Sequence, residues 1–407
     1  MKIEMFPAEN GDAFLISVNK KNIIIDMGYR TTYNNYIKNR LIDLNSKGES
    51  IDLLVITHID EDHIEGAIEF FRDNGSVSDS NIIDVKEIWH NSYRHLQFDK
   101  EKVSNVSRFE RKKVEEIKII NSLNARDRVD GISDVSERQG STLAGYLYGL
   151  GYSTHNWNSS FDNNAVNLDF KDEVIFEDIK IFILSPNTKK LKLLSNLWMN
   201  KLQEFDIDFN ISKEEFFDDA YEMYMKKLKC LYNISEYSDV SDYNKSFYKI
   251  LEKDILQTKK DKSKSNGASI SFILEYDGKK ALFLGDAHED IIVENLKKYK
   301  QKEKNLEFEV VKISHHGSLK NNFNWIDMVK SKRYLISTNG SSHNHPNKEV
   351  IAKILKSNNE KKVLYFNYPL DICKVIDEKS LKDKYNYEIV TGNGSLFIEI
   401  GGVLDDK

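Results

Sequence analysis

Cysteine is nearly absent: Cys230 and Cys373 are the only two in 407 residues. That is too few for a disulfide framework or a thiolate zinc site. Long apolar runs are missing too. None approaches the roughly 18 residues a membrane span needs, so a soluble protein with no membrane partner is expected. The opening MKIEMFPAENGD lacks the apolar core and cleavage site of a secretory signal, which makes the cytoplasm the expected location. Nor is there a strong charge of one sign. The formal net charge of −6 argues against coating nucleic acid through an overall positive field. Two local basic stretches, around Arg111, Lys112 and Lys113 and around Lys262, read as a solvated helix face and a loop. No Walker-type phosphate loop or paired-cysteine motif points to an ATPase or an oxidoreductase. No repeat of fixed period stands out, and the scarcity of proline carries no mechanistic information.

With 40% hydrophobic and 30% charged residues, the composition is that of an ordinary globular protein. The length suits two or three average domains or one large two-sheet domain with insertions. The most constraining segment is His58-Ile59-Asp60-Glu61-Asp62-His63, which puts four potential metal ligands within six residues. It follows IDLLVIT, residues 51–57, an almost continuously apolar run expected to be a strand covered on both faces. Gly66 and the helically spaced IEGAIEFFRD come next, so the ligands should sit on a strand-to-helix turn. Carboxylates and imidazoles held this closely are costly unless cations neutralise them.

THIDEDHIEG resembles the histidine-x-histidine-x-aspartate-histidine signature of the metallo-β-lactamase superfamily, with Asp60 where the second histidine usually stands. The Asp variant, together with AENGDAFLI and NIIIDMG, is similar to the metallo-β-lactamase-like domain of ComEC-type DNA-uptake proteins and related stand-alone bacterial hydrolases. The resemblance implies an α+β fold, the αββα sandwich, here with helical insertions. Its amino-terminal half would span residues 1–187, with a helical insertion near 99–152. A second helical insertion would occupy 188–263, and the carboxy-terminal half 264–407.

The pattern of elements fits that division. Short strands fill the first sixty residues, around a helix at 33–44, and a further strand is expected at 85–91. AVNLDF and IKIFILSPN read as strands, and amphipathic helices dominate 189–262. Strands and helices then alternate from ASISFILEY to SLFIEI, including a helix at NWIDMVKS. Asp26 and Gly28 should shape the turn beneath the ligand loop.

Within the resemblance, LFLGDA places Asp286 as the bridge between two cations, and His58, Asp60, Asp62 and His63 divide between the two sites. His345, directly before Pro346, stands where the last metal histidine is expected, with His343 a loop residue or a donor to one of the ligands. Ser314-His315-His316-Gly317-Ser318 matches an HHGS element of ComEC-like sequences. Neighbouring side chains on extended backbone point in opposite directions. One of His315 and His316 is therefore expected at the metal or the scissile group, with the other orienting a neighbour, and the sequence does not say which. Many superfamily members carry a further metal histidine on the strand before the bridging aspartate, but this chain has Asn266-Gly267-Ala268-Ser269 there. The oxygen-rich donor set implies two divalent cations, zinc or manganese, with magnesium also compatible. His90, at a strand end, is a further candidate, and residues 157–166 a candidate substrate rim.

Two such cations would activate a water for hydrolysis. Asp62 would hold the water, and His315 or His316 would donate a proton or stabilise developing charge. A phosphodiesterase or nuclease acting on nucleic acid or a nucleotide is the expected function, and the resemblance extends to bacterial phage defence. Hydrolysis of a small ester, thioester or lactam is the first alternative. The second is a metal-stabilised interaction module whose helical insertion docks a protein partner.

Overall fold

A computed structural model describes residues 1–96, 142–203, 218, 220–225, 243–257, 259–302 and 305–401. Most of the expected insertion near 99–152, the basic stretch around Arg111, Lys112 and Lys113, and Cys230 lie outside the described residues.

Strands β1 (Lys2–Met5), β2 (Ala13–Val18) and β3 (Lys21–Met27) form an antiparallel meander. β4 (Leu53–Val55) and β5 (Ile88–Trp89) extend it in parallel beside β3. The second sheet runs in chain order: β6 (Glu173–Phe176), β7 (Ile179–Ser185), β8 (Ser271–Tyr276), β9 (Lys279–Phe283), β10 (Val310–Lys312), β11 (Arg333–Ile336), β12 (Lys362–Phe366) and β13 (Tyr387–Thr391). Its β6 to β9 are antiparallel and β9 to β13 parallel. β14 (Leu396–Glu399) then returns to pair with β1.

Side-chain alternation explains why the sheets stack. Ile23 and Ile25 of β3 point into the space between the sheets, where they join Phe272, Ala281 and Phe283 of the second sheet. Ile24, between them, points the other way, into a core with Phe70 and Leu41 of the outer helices. The second sheet does the same, with Leu282 and Val311 facing Ile291 of helix Glu289–Gln301 and Val350 of helix Lys348–Lys356. Two sheets face to face with helices outside them make the αββα arrangement, an α+β fold. Helix Thr188–Gln203 packs through Leu191, Leu194 and Trp198 on the first sheet's helical layer, and Phe247 and Leu251 of helix Tyr243–Glu252 pack on the second's.

Several expected elements differ. IDLLVIT pairs continuously only at Leu53–Val55, with an isolated bridge from Ile51 to Val85 before it and the Asp52 carboxylate accepting the Asn22 amide at 2.9 Å between them. AVNLDF is a turn: Asn167 accepts the Asp169 amide on its side chain and the Phe170 amide on its carbonyl. NWIDMVKS forms a single tight turn, Trp325–Asp327. Two helices not anticipated, Asp371–Ile376 and Lys379–Tyr385, link β12 to β13. A parallel pair requires such a crossover. No helix among the described residues is long and apolar enough to cross a membrane.

Candidate metal centre

The ligand loop begins where β4 ends, and helix Glu61–Asn74 starts directly after Asp60, as the strand-to-helix turn requires. Close packing holds that helix in place. Gly66 donates its amide to Gly28 O at 2.8 Å, and a Cβ there would come within 2.0 Å of Met27 O. Asp286 follows β9, and its amide donates to Ser269 Oγ at 3.0 Å. Gly285 before it has φ +48, and a Cβ would fall 2.4 Å from that hydroxyl, so only glycine fits the approach.

Four imidazoles surround Asp286. The Nε2 atoms of His58, His63, His315 and His316 each lie 3.7 Å from one of its carboxylate oxygens. His315 and His316 therefore face the same way, contrary to the expectation for extended backbone. They lie in a tight turn with φ of 44° and 52°, and the strand alternation does not apply.

Each ring is aimed by a partner at Nδ1. Thr57 Oγ1 holds His58 at 3.0 Å, Asp26 holds His63 at 2.7 Å, Ser337 O holds His316 at 2.8 Å, and Asn321 Oδ1 holds His315 at 3.1 Å. Asp26 has φ +53 and also accepts the Thr57 amide and hydroxyl, shaping the turn beneath the site. Asp60 lies 3.4 Å from His58 Nε2 and accepts Ser265 Oγ at 2.7 Å. Asp62 lies 3.6 Å from His316 Nε2.

Donor atoms of Asp62, His63 and His316, and of His58, His63 and Asp286, lie within 4.8 Å of one another in each trio. His58 Nε2, His63 Nε2, His316 Nε2 and Asp286 Oδ1 are buried with no hydrogen-bond partner. Buried polar atoms are rarely left unpaired unless a ligand completes them. The donors therefore fit divalent cations. A buried ammonium, Lys312, pairs with Asp12 and donates to Gly285 O at 3.1 Å.

Electrostatics agree. Burial opposes charge on Asp286, yet the four surrounding histidines hold its carboxyl well below the usual range. Burial also opposes protonation of His63, but Asp26, Asp286 and Asp62 push it up to about 10. For His315, Asp286 and Asp261 outweigh burial and raise it to about 9. His316 falls to about 4, chiefly by burial, with Lys312 adding to the effect.

The remaining candidates lie further out. His345 is half-buried on the pocket rim, its ring centroid 5.3 Å from that of His315, and His343 lies 5.8 Å beyond it. Neither belongs to a three-ligand group among the described residues. Burial and the neighbouring histidines His315, His316 and His343 hold His345 well below the usual imidazole range. His90 is committed elsewhere: it bonds Glu222 at 2.7 Å and stacks on Trp157. Residues 157–166 do not form a rim, since Trp157 and Phe161 are buried core and Asn158 bonds His90. Asp12, inside AENGDAFLI, belongs to the site as well, and Lys312 and Asp261 are members that no sequence motif picks out. A lysine inside the apolar run VVKI is a usable signal for the first of these two; the second has none.

Residues 7–137 match the family model of the metallo-beta-lactamase superfamily. No curated protein matches the chain. Among solved structures, it is similar to a variant of the CmlA beta-hydroxylase at 9% identity and a TM-score of 0.37, covering 98% of this chain and 54% of that one. It thus spans about half the length of that enzyme. It is also similar to zinc-bound PqqB from Methylobacterium extorquens at 8% identity and a TM-score of 0.37, covering 98% and 100%. The ligand loop lies inside the matched segment, so over residues 7–137 this chain is similar to the metallo-beta-lactamase superfamily, and its two packed sheets with helices outside them form the αββα arrangement.

Proposed function

We propose that this protein is a metal-dependent hydrolase of phosphoesters, most simply a phosphodiesterase or nuclease. The observation that carries the proposal is the donor set around Asp286: four imidazole nitrogens at 3.7 Å, with carboxylates from Asp60 and Asp62 beside them. When bound there, two divalent cations supply Lewis acidity and an activated water. Carboxylate oxygens are the harder donors, so manganese or magnesium suits the set as well as zinc.

The chain's own residues do the rest. Asp286 stands between the two groups of donors and can bridge them. Asn10 Nδ2 donates to Asp62 Oδ2 at 3.2 Å, and its Oδ1 in turn accepts from Tyr29 OH at 3.1 Å, so Asp62 is held in one orientation. Tyr29, Asn10, Thr338, Ser342, His343 and His345 line the approach, with the Glu61 carboxylate beside them. The hydroxyls, amide and imidazoles offer hydrogen bonds to a polar, anionic head and little apolar surface for a hydrophobic acyl group. His345, shifted toward the neutral form, can accept a proton from a water at the rim.

The test is hydrolysis of bis-p-nitrophenyl phosphate and of labelled single- and double-stranded DNA and RNA by metal-stripped protein. Manganese, magnesium and zinc are restored separately, and Asp62→Asn is run beside the wild type. Cleavage abolished in the variant supports the proposal. Hydrolysis of esters, thioesters or lactams with no phosphoester cleavage overturns it.

A further inference from the structure

We infer that His315 supplies a cation ligand that the strand before Asp286 lacks, and that Asp261 and Asn321 are the positioning residues that hold it there. This rests on the metal-centre reading above and goes beyond it by assigning the donors of one half-site.

The donors fall into two groups around Asp286. Asp62, His63 and His316 form one, with all three atoms within 4.8 Å of one another. His58 and Asp60, 3.4 Å apart, begin the other. Asp60 is a carboxylate, and the segment ahead of β8 offers Asn266 and no histidine, so this second group is short of a nitrogen donor. The Nε2 atoms of His58, His315 and His316 all lie 3.7 Å from the same Asp286 oxygen, and since His316 is already grouped with Asp62 and His63, His315 is the imidazole left to join His58 and Asp60.

Asn266 turns its amide nitrogen toward Asp261. Its Nδ2 lies 3.3 Å from His315 Nδ1 and donates to Asp261 Oδ2 at 2.8 Å. Asn321 donates to the same Asp261 oxygen at 3.0 Å, and that oxygen lies 3.5 Å from His315 Nδ1. A carboxylate and an amide oxygen at Nδ1 favour the tautomer with its proton there, which leaves Nε2 as the lone-pair donor toward Asp286. His315 is not part of the tight three-atom groups and is more exposed than the other three imidazoles. Its half-site is therefore the weaker of the two.

The test is calorimetric titration and metal analysis of metal-stripped full-length chain with manganese and with zinc. Wild type should bind two cations in two affinity classes. His315→Ala should keep the tighter site within about threefold and weaken the other more than Asp261→Asn does. Asp261→Asn, which leaves the ligand in place, should weaken the second site by about 10- to 100-fold. His345→Ala should leave both constants within a few-fold. Thermal melts of the metal-free variants separate loss of a ligand from loss of the fold, and Asp261→Asn provides a second route if His315→Ala misfolds. Two cations with wild-type affinities in both His315→Ala and Asp261→Asn overturn the inference and leave the metal centre standing, as does loss of a site in His345→Ala alone. A wild type that binds no cation overturns the metal centre itself.

Discussion

Asp26 Oδ2 accepts from His63 Nδ1 at 2.7 Å, with both side chains fully buried and the aspartate in the left-handed backbone region. The same carboxylate takes the amide and hydroxyl of Thr57, so one side chain ties the end of β3 to the ligand loop and aims His63 at Asp286. Replacing it by asparagine removes the charge and one acceptor. Asp26→Asn should lower cation affinity by about 10- to 100-fold and stability by about 1–3 kcal/mol. Calorimetric titration and urea unfolding measure the two, and unchanged affinity would count against the aiming role.

Gly66 should tolerate no side chain. A Cβ would meet Met27 O at 2.0 Å, and that oxygen belongs to β3 backbone with nowhere to retreat. In an exposed helix, Gly→Ala would stabilise by about 1 kcal/mol. Here Gly66→Ala should instead cost about 1–3 kcal/mol by overpacking. A urea midpoint equal to or above that of the wild type would show that the helix can shift.

Loading the site should release protons. A cation at Nε2 requires that nitrogen to be unprotonated, yet the surrounding carboxylates, working against burial, raise His63 to about 10 and His315 to about 9 in the metal-free protein. Both rings therefore carry an extra proton near neutral pH, and binding displaces one from each. Apparent affinity should rise with pH until it passes those two values. Titration heats in buffers of different ionisation enthalpy count the protons, and heats independent of buffer would refute the displacement.

Cys373 should be inert in the folded protein. Burial pushes its thiol up to about 11, so little thiolate exists in mildly alkaline buffer. Alkylation, mapped by mass spectrometry, should be slower than in urea by on the order of 100-fold. Equal rates would show that helix Asp371–Ile376 opens readily.

Local sequence carries much of the site. His58, Asp60, Asp62 and His63 sit in one six-residue motif behind an apolar strand, and a local turn is enough to bring them together. Alternation and helical spacing likewise mark most strands of both sheets, because burial on one face leaves a local imprint. Where a polar side chain redirects the backbone, as Asn167 does in AVNLDF, that imprint misleads.

What the chain order alone determined was the inventory: a ligand loop, a Gly-Asp after a strand, a histidine pair, and helices enough to cover two sheets. Tertiary structure decided which atoms meet. Asp12, Asp261, Asp286 and Lys312 are separated by up to 300 residues in sequence (12 to 312), and no local pattern links them. Stacking two sheets with their ligand-bearing loops at one end brings them around a single carboxylate. The direction of His315 and His316 depended on a positive φ at both, which a strand-based expectation cannot supply. Local periodicity records which face is buried; long-range packing and backbone sign decide what each buried donor faces.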